Sequence, residues 1–73
     1  SVTDPELRAI ILNNLGYYYF MKGKYEIAEN HFLNSINSHP SPFAKYNLYL
    51  AYSALLKVNK AAKLKEELEK DDF

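Results

Sequence analysis

The chain has 73 residues, 48% of them hydrophobic, with nine basic and nine acidic side chains, no cysteine and no net charge. That is one small domain, near the size at which a single core is marginal, with no disulfide framework or thiolate metal site to help it. No overall field draws it to nucleic acid or an anionic membrane, no apolar run approaches a membrane span, and no secretory pattern opens it. No membrane insertion and a cytoplasmic location are therefore expected.

Thr3-Asp4-Pro5-Glu6 opens a first helix: Thr3 or Asp4 can cap it, Pro5 suits its first turn, and Glu6 lies three residues after Thr3 as in a capping box. The periodic pattern predicts this helix over about 6–21. Leu12, Leu15, Gly16 and Tyr19 fall at i, i+3, i+4 and i+7 and form one stripe. Gly23, between Lys22 and Lys24, can take the positive φ that ends a helix. A second helix is predicted over about 24–38, with Tyr25, Ala28 and Phe32 as its stripe. Gly16 and Ala28, the small members, are expected to face each other, with Tyr19 and Phe32 on the flanks.

His39-Pro40-Ser41-Pro42 is a firm break, and Ser41 with Pro42 supplies the cap and first turn of a third helix, expected to run to about Lys57. A fourth is expected over about 59–70. Lys57, Lys60, Lys63 and Lys65 crowd its start and Glu66, Glu67, Glu69, Asp71 and Asp72 its end, both against the helix dipole. Its apolar stripe is thin: Ala61, Leu64 and Leu68. Either packing overrides the electrostatic penalty, or this helix is a polar cap or the start of a longer array; Phe73 suits either. A shift of 33 residues places Leu15 on Leu48, Tyr19 on Tyr52 and Ala28 on Ala61, but Gly16 on Tyr49, Gly23 on Leu56 and Phe32 on Lys65. A shift of 34 puts Leu50 under Gly16 and Ala62 under Ala28. Both registers stay open.

Leu12, Leu15, Gly16, Tyr19, Gly23, Tyr25, Ala28, Phe32, Ser35 and Pro40 match the spacing of a 34-residue helical motif. The segment resembles a tetratricopeptide repeat, with Leu12 at the usual tryptophan position. The resemblance implies an all-α fold of four helices: two antiparallel helical hairpins stacked as a short right-handed superhelix. Residues 1–73 then form a single domain, with one repeat at about 5–40 and a degenerate second at about 41–73. It also implies a non-catalytic module that binds a partner peptide or helix in a concave groove.

Carried over by position, that groove is lined by Ile10, Asn13, Asn14, Tyr17, Phe20 and Met21. From the second copy, in the 33-residue register, come Phe43, Tyr46, Asn47, Leu50, Ser53 and Ala54. The residues carry their own argument: the first helix is apolar or aromatic on both sides, beyond what one neighbouring helix covers, and aromatics with a few amides suit a protein partner. Packing as ordinary core is the other reading, above all for Tyr46 and Leu50. Asn13, Asn14 and Asn47 are expected to hydrogen-bond a partner's backbone.

The family's clamp for the acidic tail of a chaperone wants lysine where Asn13 stands and asparagine where Tyr17 stands. Only Asn47 matches, so that ligand is not expected. No cofactor, metal or nucleic acid is implied. His31 and His39 have no partners at ligand or triad spacing, His31 beside Glu26 or Glu29 reads as a solvated pair, and Gly16 and Gly23 are isolated. Two units are few for a stacked array, so partners include a protein or peptide, further repeats, or a second copy meeting the groove.

Overall fold

The computed structural model describes residues 3–71, all-helical with no strand among them: α1 (Pro5–Met21), α2 (Tyr25–Ser38), α3 (Pro42–Ala54) and α4 (Val58–Lys70). The expectations for Asp72 and Phe73 lie outside these residues. Of the two candidate caps for α1, Asp4 is the one used: its carboxylate accepts from the Glu6 amide at 2.9 Å. Ser41 caps α3 by accepting from the Ala44 amide at 3.1 Å. Gly23 takes φ +78° between α1 and α2.

Helix α1 packs on α2, α2 on α3 and α3 on α4, with a smaller contact between α1 and α3. The assembly is flat, 36 × 29 × 14 Å across its Cα atoms. Its core is centred on Phe32, 0% exposed, with Ala28, Leu48, Ala51, Tyr52 and Leu64 around it. A Cβ at residue 16 would stand 2.5 Å from Cε1 of Phe32, so Gly16 makes room for that ring, which the stripes had placed on the flank.

Two serines tie α2 to α1. The buried Ser35 hydroxyl donates to the Ala9 carbonyl at 2.7 Å, and Ser38 donates to the Pro5 carbonyl at 2.9 Å. At the other end Phe20 meets Tyr25 edge-on, ring centroids 5.1 Å apart. The end of α2 thus lies beside the start of α1.

The third helix ends at Ala54, three residues before its expected end at Lys57. The cause is Leu56, the non-glycine residue with positive φ, +61°, among those described. It occupies the position of Gly23 under a 33-residue shift, and the local hydrogen bonds agree. Lys24 N–H donates to Tyr19 O (3.0 Å) and Lys57 N–H to Tyr52 O (2.8 Å); Gly23 N–H donates to Phe20 O (3.0 Å) and Leu56 N–H to Ser53 O (3.1 Å). Helix starts at Tyr25 and Val58 and ends at Met21 and Ala54 follow the same offset. Around these two turns the backbone offset is 33 residues. Holding leucine in left-handed backbone costs about 1 kcal/mol or more, and at 81% exposure its side chain returns little by packing. Leu56→Gly is expected to raise stability by about 0.5–1 kcal/mol after the added freedom of the unfolded chain is deducted, read as a higher Tm by circular dichroism.

Candidate functional site

One face of α1 and one of α3 meet along a line marked by a side-chain hydrogen bond: Nδ2 of Asn47 donates to Oδ1 of Asn13 at 2.9 Å. Around it the predicted residues separate by depth. Ile10, Asn14, Tyr17, Met21, Phe43 and Tyr46 are exposed, as are Ser53 and Ala54, while Asn13, Phe20, Asn47 and Leu50 are half-buried. Ile10, Asn13 and Phe43 line one cleft with Glu6, Ala9 and Pro40. Tyr46 lies 6.3 Å from Tyr49 in a tilted pair, beside a second cleft that Lys65 and Glu69 border from α4.

Three of the predicted residues are engaged differently from the expectation. Asn13 and Asn47 satisfy each other in part, which leaves the Asn13 amide group and the Asn47 oxygen as the atoms able to meet a partner's backbone. Phe20 packs against the core and on Tyr25. The cleft at the Ile10 end includes residues that the spacing did not single out, from the break between α2 and α3. There His39 Nε2 stands 3.7 Å from a Glu6 carboxylate oxygen, both side chains at least half exposed. A polar residue beside Pro40 was the only signal for it.

The titratable groups outside this face brace the fold. Glu29, buried on α2, accepts from Lys57 Nζ at 2.8 Å across the turn into α4. Glu29 is therefore not the partner of His31, whose ring instead stacks on Tyr19 with centroids 5.4 Å apart and planes at 17°. Lys45 reaches Asp71 at 3.4 Å. Two of the charges that oppose the dipole of α4, Lys57 and Asp71, thus have partners on other elements. Among the described residues no three His, Cys, Asp or Glu side chains converge as a metal site, and no helix is long and apolar enough to cross a membrane.

The hydrogen bond to Glu29 holds Lys57 above the ordinary lysine value of 10.5. Burial, helped by the Glu29 charge, holds Tyr52 above the ordinary tyrosine value of 10.0. Both groups bind their protons more tightly folded than unfolded, so their contribution is complete below about pH 10 and is lost as pH rises through the folded values. The Tm is expected to fall on alkaline titration above that point. Glu29→Gln, compared over the same range, should lower the neutral-pH Tm and flatten the alkaline loss.

Compared with protein-family models, curated proteins and solved structures, the chain matches none.

Proposed function

We propose that the chain is a non-catalytic interaction module, a pair of tetratricopeptide-like helical hairpins stacked right-handedly, which binds a partner peptide or helix along the α1–α3 face. The observation that carries this reading is the set of large apolar side chains left in solvent on that face. Ile10, Tyr17, Met21, Phe43 and Tyr46 are between 44% and 67% exposed, on either side of the Asn13–Asn47 bond. Apolar anchors flanking a line of amides supply area for side chains and hydrogen bonds for a backbone, which is what an extended or helical peptide needs. The 33-residue correspondence of the two halves supports the repeat reading, and the flat stack suits an open face more than an enclosed pocket. A cytoplasmic setting belongs to the same proposal, since a chain without cysteine draws nothing from an oxidising compartment.

The test is affinity capture from the source cell with wild type beside Tyr17→Ala/Phe43→Ala, bound proteins being identified by mass. Both replaced side chains are more than half exposed, so helical circular dichroism should be unchanged; Leu50 is avoided because it is half-buried. A foreign protein held by wild type and lost by the double variant is expected. Retention of the same proteins by both would refute the groove.

A further inference from the structure

We propose that α1 also pairs with α1 of a second copy of this chain, antiparallel about a two-fold axis, through Leu7, Ile11, Leu15 and Tyr18. These four share one side of α1, turned away from Ala9 and Gly16, which are buried. They are between 39% and 54% exposed, and they lie on a different side from Ile10 and Tyr17 of the groove.

The internal correspondence says what such a face is shaped to receive. The 33-residue offset places Ile11, Leu15 and Tyr18 on Ala44, Leu48 and Ala51, all three buried, Leu48 and Ala51 in the cluster with Ala28 and Phe32 of α2. On α3, then, the equivalent side is covered by a helix; on α1 it is bare. Among the described residues no helix covers it. Helix α2 lies between α1 and α3. The side of α4 equivalent to the α3-facing residues Phe32, Leu33 and Ile36 consists of Lys65, Glu66 and Glu69, all exposed. Stacking α4 of one copy on α1 of the next would bury those charges against leucine and isoleucine without partners, which rules out head-to-tail growth. The helix with an uncovered apolar stripe is α1 itself.

Charge sets the direction. Asp4 stands before the first turn of α1, and Lys22, its ammonium 5.3 Å from the Tyr18 ring centre, follows the last. Antiparallel pairing brings each Asp4 beside Lys22 of the other copy and opposes the two helix dipoles; parallel pairing brings like charges together. An isologous pair closes at two copies and leaves both grooves open.

Sedimentation equilibrium over rising concentration tests the pairing. The mass should approach that of two chains. Ile11→Glu, and separately Leu7→Lys, should raise the dimer Kd about tenfold or more with unchanged helical content, while Tyr17→Ala/Phe43→Ala should leave it unaltered. Because the chain has no cysteine, Leu7→Cys and Tyr18→Cys can be made singly and mixed under oxidation. The mixed disulfide should dominate, since identical Leu7 positions in an antiparallel pair lie about 16 Å apart along the axis. A monomer at every concentration, a dimer lost only to the groove variant, or efficient Leu7→Cys self-linking would each overturn the proposal.

Discussion

Phe32→Ala is expected to remove about half of the chain's stability, about 3–5 kcal/mol. The ring is fully enclosed, lies against Gly16, and belongs to the cluster that joins residues of α2, α3 and α4. Removing such a ring costs about 3–5 kcal/mol, the lost transfer energy plus the cavity left behind. A domain of 73 residues has a total of roughly 4–11 kcal/mol to lose. The cavity cannot collapse cheaply, because glycine, on the α1 side, has no side chain to move into it. Urea denaturation followed by circular dichroism should show the midpoint falling sharply; a midpoint shift worth under 1 kcal/mol would contradict this packing.

Gly16→Ala should also destabilise, against the trend of helix propensity. In an exposed helix interior the change gains up to about 1 kcal/mol. Here the new methyl group would stand 2.5 and 2.6 Å from two atoms of the Phe32 ring, which is itself fully buried. Overpacking of this kind costs about 1–3 kcal/mol, so a net loss of about 1–2 kcal/mol is expected. The cause can be isolated by a cycle with Phe32→Leu: a less planar, smaller partner should make room, and the double variant should lose less than the two single losses together. Strict additivity would mean that the glycine serves something other than the ring.

The same pair of residues shows what a sequence can and cannot display. Caps and breaks are local chemistry, so Asp4, Gly23 and the Pro40-Ser41-Pro42 stop were legible within a residue or two. Spacing assigns Gly16 and Ala28 to stripes but does not give the rotation of one helix against the next, so how closely the Phe32 ring meets Gly16 was not legible. The end of α3 was hidden for a different reason: leucine at residue 56 conceals a turn that glycine announces at residue 23. On the groove face the stripe positions were readable, but their depth was not. Nothing in the spacing told that Asn13 and Asn47 would bond to each other, or that Phe20 would turn toward Tyr25. The hydroxyl ties from Ser35 and Ser38 had a faint signal, two serines one turn apart before the break, whose targets on α1 only the paired helices disclose.

The order in which the helices touch has a kinetic consequence. Each packs on its neighbour in the chain, and the added contact skips a single helix, so no loop longer than about two helices must close before contacts reward it. Loop-closure entropy is then spent in small instalments, and folding should fall among the fast, local topologies that complete in microseconds to milliseconds. Helices α1 and α2, neighbours in the chain with the most extensive contact, make the natural nucleus, with α3 and α4 adding afterwards in order. Until α3 docks, Leu33 and Ile36 of α2 remain the stickiest surface of the growing structure.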